Sequence, residues 1–146
     1  MAITTNAICN SFKKQLMGGE HDFDSAGGDT FKLAMYVSTA TLGASTTNYS
    51  SSGEVTSPAG YSAGGKALVN QGVKVSSGVA ITDFADLSFT GVTLTARGAL
   101  IYNTSSSNAA VAVLDFGSDK TATSGTFTIQ FPAFTTAAAI LRIGNA

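Results

Sequence analysis

The side chains of this sequence best suited to making or breaking bonds are an imidazole and a thiol, and there is one of each, His21 and Cys9. A hydrolytic triad needs a nucleophile, a base and an orienting acid. Ser, Thr and Asp are plentiful, but His21 falls on a stretch that reads as a surface loop. Cys9 falls on the apolar face of a helix, where a thiol behaves as a buried, inert hydrophobe. One Cys and one His all but exclude a zinc site, and a lone Cys closes no internal disulfide. Residues 20–29, EHDFDSAGGD, gather four acids beside His21. Hard cations want several oxygen ligands, but no glycine follows these acids at the EF-hand position and no Glu closes the run. The stretch therefore reads as a polar loop with Phe23 turned inward. Asp83 and Asp86 are the nearest pair of carboxylates for glycoside chemistry. With no Trp to line a cleft, a sugar site is not expected. GYSAGG at 60–65 is not a phosphate loop: no strand leads into it, no helix follows, and Lys66 is not followed by Ser or Thr. The expectation is no catalytic residue, no cofactor and no metal, and hence no enzyme.

The elements that would position such residues are mostly strands. The run 91–116 organises the chain. In its first half Val92, Leu94 and Ala96 alternate with Thr93, Thr95 and Arg97, and Ala99, Leu100, Ile101 and Tyr102 follow as an apolar run. Val111 to Phe116 form a second run, and the polar 103–108 turn between them makes a β-hairpin. An apolar run with little alternation predicts a strand covered on both faces, so the hairpin is central. Arg97 and Asp115 are placed to pair across it. Residues 30–37 read as a strand with Phe31, Leu33, Met35 and Val37 on one face. Further strands are expected over 67–76 (with a bulge at Gly72), 79–84, a short one at Leu87 and Phe89 that Gly91 turns into the hairpin, 126–131 and 137–143. Residues 117–125 read as a polar loop. The predicted core is Leu33, Met35, Val73, Leu94, Leu100, Val113, Phe127, Ile129 and Ile140.

The one convincing helix spans 6–17, with Ile8, Phe12 and Leu16 four residues apart, Thr5 or Asn6 as its cap and Gly18-Gly19 as its stop. The sequence thus predicts an all-β, mainly antiparallel fold: a jelly-roll-like β-sandwich in a single domain over 1–146, with an N-terminal helical segment in 1–19 and a long loop over 38–65. So long a loop is either functional or disordered; Tyr49, Val55 and Tyr61 are its expected anchors. It is expected to be removable over 41–57 without loss of the fold.

Charged residues make up 12% of the chain, about half the usual share, and Ser, Thr, Gly and Ala fill the gap. The net charge is -1 with no basic block, so nucleic acid is not an expected partner. No apolar run is long enough to span a membrane. Lys13 and Lys14 follow Ile8 and Phe12, the reverse of a signal peptide, so synthesis in a cytoplasm is expected.

Three runs carry a resemblance: GDTFKLAMYVSTATLGASTTNYSSSGEV (28–55), GYSAGGKAL (60–68) and ARGALIYNTSSSNAAVAVLDFGSDKTATSGTFTIQFP (96–132). Together they make up 74 of the 146 residues, and they resemble small β-rich structural proteins of the virions of tailed bacteriophages. That resemblance implies a virion component made in the bacterial host cytoplasm, without active-site residues. The first expectation is a capsid decoration or cement protein, bound to the major capsid protein in many copies and forming a homo-oligomer. The alternative is a tail, adaptor or fibre-associated component with a receptor- or glycan-binding surface, for which Tyr36, Tyr49, Tyr61 and Tyr102 are the candidate aromatics. Contacts are expected through the helix and the long loop, at Ile8, Phe12, Leu16, Leu42, Tyr49, Val55 and Tyr61.

Overall fold

The computed structural model describes residues 3–56 and 58–145. The fold is an all-β sandwich of two antiparallel sheets with one short helix. At its centre lies the expected hairpin, longer than its sequence pattern implies. Strand β6 (Leu87–Asn103) pairs with β7 (Ala109–Ile129) from Asn103↔Ala109 at the turn to Leu87↔Ile129 at the far end. Ser107 and Asn108 close the turn with φ of 50° and 57°; Asn tolerates this left-handed conformation better than most residues. Residues 98–103 and 109–113 are buried on both faces, as the unbroken apolar pattern predicts.

Two loops expected along this hairpin are absent. Gly91 does not end a strand; it sits in β6 at a shift of register between Phe89 and Val92. Residues 117–125 are not a loop but part of β7, with Lys120, Thr121, Ala122 and Gly125 each opposite a β6 residue. Water covers much of this ribbon, so no apolar alternation marks it, and its Thr-rich composition is the only sign of strand.

Strand β2 (Phe31–Tyr36) pairs with β6 along its whole length, from Phe31↔Asn103 to Tyr36↔Gly98. Two-residue strands complete the sheet: β3 (Lys66–Ala67) beside β2, and β1 (Ala7–Ile8) beside β7, in the order β1-β7-β6-β2-β3. Alternation along β2 sends Phe31 to one face and Ala34 and Tyr36 to the other. On the Phe31 face, Phe23 stacks on Phe31 at 4.4 Å, and Phe84 lies 5.6 Å away. The opposite face is covered by the 38–65 loop.

Phe84 belongs to the second sheet, β4 (Asn70–Ser76), β5 (Val79–Phe84) and β8 (Leu141–Ile143), in the order β4-β5-β8. The run expected over 67–76 therefore splits between two sheets. Gly72 makes the predicted bulge, with φ of 88° and a register shift between Asn70 and Val73. A shift by one residue exchanges the faces of a strand. Val73, expected in the core, is 58% exposed, and Val75 faces water with it. Ile140 is also not fully buried; it packs half-covered against the core. The other predicted core residues are buried.

Helix α1 (Asn10–Met17) starts four residues later than its apolar spacing predicts. Ala7 and Ile8 pair with Val113 and Ala112 instead, because the neighbouring edge of β7 offers backbone partners that a helix start lacks. The N-cap is Cys9, without a side-chain bond, and not Thr5 or Asn6. Asn6 turns its Oδ1 to the Asp115 amide at 2.7 Å. No helix among the described residues is long and apolar enough to cross a membrane.

Candidate functional site: a tied loop and an open apolar face

Glu54 is the sole charged residue between Ser38 and Gly65, and the loop is built on it. Its Oε1 accepts the Tyr61 hydroxyl at 2.7 Å and the Gly64 amide at 2.7 Å; its Oε2 accepts the Tyr49 hydroxyl at 2.5 Å. Tyr61 Oη also accepts the Met35 amide at 2.9 Å, which ties the loop to β2. Tyr49 stacks on Tyr102 at 4.7 Å, and the Tyr102 hydroxyl donates to Gly64 O at 2.6 Å. The Tyr36 hydroxyl donates to Ser50 O. Gly65 has φ of 77°, and a Cβ there would collide with the Leu33 carbonyl, so glycine alone lets the chain fold back onto β2. Burial raises all four tyrosine pKa values, Tyr102 to about 12; at Tyr49 and Tyr61 the bond to Glu54 adds to it. These phenols stay protonated at neutral pH and act as donors.

The tyrosines are thus inside the structure, and only Tyr49 is partly exposed. An exposed aromatic platform for a glycan is not what they form. The loop is likewise not a removable appendage. Val55 and Tyr61 are core residues, Tyr36 bridges to Glu54, and Asn48 bridges to Ala109. Excising 41–57 would open the core. What the loop does present is its outer surface, a groove of about 480 Å³ lined by hydroxyl and amide groups of Thr39, Ser45, Thr46, Asn48 and Ser50.

Of the seven residues expected at contacts, Phe12, Val55 and Tyr61 are buried in the chain's own core and offer a partner nothing. Ile8, Leu16, Leu42 and Tyr49 are half-buried. The open apolar surface lies elsewhere, on sheet β4-β5-β8 and the end of α1. Cross-strand rows place Val75, Ala80 and Ile143 side by side, and next to them Val73, Thr82 and Leu141. Leu16 and Phe23 line the groove over these rows. Met17 is 92% exposed, Val75 73% and Ile143 63%. A groove of about 780 Å³ joins Leu16, Met17, Ile140 and Ile143. The bulge at Gly72 hid half of this patch from sequence reasoning; the period-2 pattern of Val73 and Val75 reads the same facing in or out.

The residues of greatest chemical interest are placed as follows. Cys9 is buried, and desolvation raises its thiol pKa to about 11, so it is an un-ionised packing residue. His21 is not on the surface as expected: it is 8% exposed and hydrogen-bonded at both ring nitrogens. Arg97 and Asp115 form the expected pair at 3.1 Å; the Gly117 amide is the larger of the influences lowering the Asp115 pKa, with Arg97 adding to it. Among the described residues, no three His, Cys, Asp or Glu side chains gather where they could hold a metal. The acids of 20–29 bond within the loop: Asp22 Oδ1 accepts the Asp24 amide, and Asp29 Oδ2 accepts that of Asp22. No protein-family model matches the chain, and neither does any curated protein or solved structure.

Proposed function

We propose that this protein is a structural component of a bacteriophage virion, a decoration or cement protein that binds the head lattice in many copies. One observation carries the reading: the β-sandwich leaves Met17, Val73, Val75 and Ile143 open to water, with Val75 and Ile143 flanking Ala80 in one cross-strand row and Met17 sharing a groove with Ile143. Apolar patches on an otherwise polar surface mark contact sites. The chain is poor in charge, with 12% charged residues, and few charges mean little desolvation cost when a partner covers the surface. A lattice needs only weak binding at each site, since linked sites raise the overall avidity. The partners are the major capsid protein or other virion proteins, and further copies of this chain.

The test is addition of the purified protein to heads that lack it, with occupancy counted by electron microscopy. Saturation at hundreds of copies per head, lost in the double variant Val75→Asp/Ile143→Asp, is the expected result. A handful of copies confined to the tail would place the protein in the tail or adaptor class instead.

A further inference from the structure

The buried histidine stands at the middle of a hydrogen-bond chain whose donors and acceptors are fixed. Asn103 is fully buried. Its Oδ1 accepts the Ser105 amide at 2.9 Å, and its Nδ2 donates to Asp29 Oδ2 at 2.7 Å. A carboxylate accepts only and an amide N–H donates only, so the orientation of Asn103 is settled. The second Nδ2 hydrogen then points at His21 Nδ1, 2.9 Å away, which must accept. His21 is therefore the neutral Nε2–H tautomer, donating to Gln15 Oε1 at 3.0 Å. Through these bonds one ring connects α1, the acid-rich loop and the turn of the central hairpin. The same turn holds the loop's exit, with the Thr30 amide donating to Ser105 Oγ and the Thr104 amide to Thr30 O.

We propose that this chain is an acid-operated latch: a proton on His21 Nδ1 turns an acceptor into a donor, breaks the bond to Asn103 and frees the acid-rich loop from the hairpin turn. Rotating Asn103 does not rescue the contact. It would bring Oδ1 to the imidazolium but set its amide hydrogens against the Ser105 N–H and take the donor from Asp29. The groups around the ring are Gln15 and Phe12 from α1, Phe31 from β2, Asn103 from the turn, and Glu20 and Asp29 from the loop. Only the last two are charged. Both favour the imidazolium, but burial outweighs them and lowers the pKa from its ordinary 6.5. The folded state thus binds the proton less readily than the unfolded chain. The latch is intact above 6.5, and its stability is lost as pH falls from 6.5 through the folded-state pKa. His21 is the chain's single histidine; Asp83, whose pKa burial also raises, shares no hydrogen bond with this latch among the described residues, and its titration persists in a His21 variant.

The experiment is nitrogen NMR of the imidazole with amide hydrogen exchange on the full chain from pH 7.5 to 4.5, for the wild type and H21Q. The Nε2–H tautomer is expected at pH 7.5. Below pH 6.5, wild-type exchange at Thr30, Thr104 and Ser105, corrected for intrinsic rates, should accelerate by about tenfold per unit of pKa shift, with the imidazole's midpoint. H21Q should show no such step. An Nδ1–H tautomer, or an equal step in H21Q, overturns the latch. Should H21Q not fold, the wild type decides alone: an imidazole that protonates without faster exchange at these amides also overturns it.

Discussion

Glu54 shows how much of this structure rests on single polar side chains. Three donors converge on its carboxylate, and one of them, Tyr61, is buried. Removing the acceptor leaves those donors unpaired, at about 1–3 kcal/mol for a buried one. Glu54→Ala should therefore lower the unfolding free energy by at least that much in urea titration, and 38–65 should become protease-sensitive. Asp83 is the opposite case. It is fully buried, its Oδ1 accepts the Phe84 amide, and no hydrogen bond of ordinary geometry reaches its Oδ2. Burial raises its pKa, against the pull of the Phe84 and Ile140 amides. An acid whose folded pKa is raised contributes its stability below its unfolded value, about 3.9, and loses it as pH rises through the folded one. Asp83→Asn should stabilise the protein at pH 7, by about 1 kcal/mol, and flatten the acid side of its pH–stability curve. A loss of stability at pH 7 would mean that the carboxylate is held as an anion after all. Neither role was legible in the sequence, because composition and periodicity do not show which donors a carboxylate will meet. Glu54 did leave a trace, as the one charge in a long uncharged stretch.

Among the elements, those whose two faces meet different environments, or none but protein, were legible. The apolar run 99–102 and the alternation of 92–97 and 126–131 appear in the structure as read. Leu100 is fully buried in β6, with strands on both sides, and Leu100→Ala should cost about 2–5 kcal/mol by chemical denaturation. A loss well under 1 kcal/mol would show that the hairpin is not the centre of the fold. The failures have local causes. The 117–125 ribbon carries no apolar period because water covers it; Val73 follows the period but the Gly72 bulge turns it outward; Ala7 and Ile8 follow the helical period but find the edge of β7. In each case tertiary context overrode a correct local pattern.

At the scale of the whole molecule, the fold class was legible and the open apolar patch was not. The helix and the loop, where contacts were expected, give most of their apolar side chains to the core. The patch that remains is made by the second sheet. Val75→Asp with Ile143→Asp should leave the melting temperature within a few degrees, because neither side chain is buried, while abolishing any self-association seen by analytical ultracentrifugation. A large fall in melting temperature would mean that these residues support the monomer.

The pairing of Ala7 and Ile8 with Val113 and Ala112 also sets a timetable. During synthesis this first strand leaves the ribosome more than a hundred positions ahead of its partner. Throughout that interval the N-terminal segment has no sheet to join, and Phe12 has no core to enter, while β2, the β4–β5 hairpin and β6 are still arriving. Of the described strands this one waits longest for its partner, so the nascent chain carries an unpaired apolar segment over that interval. That wait is the step at which a chaperone in the cell has most to offer.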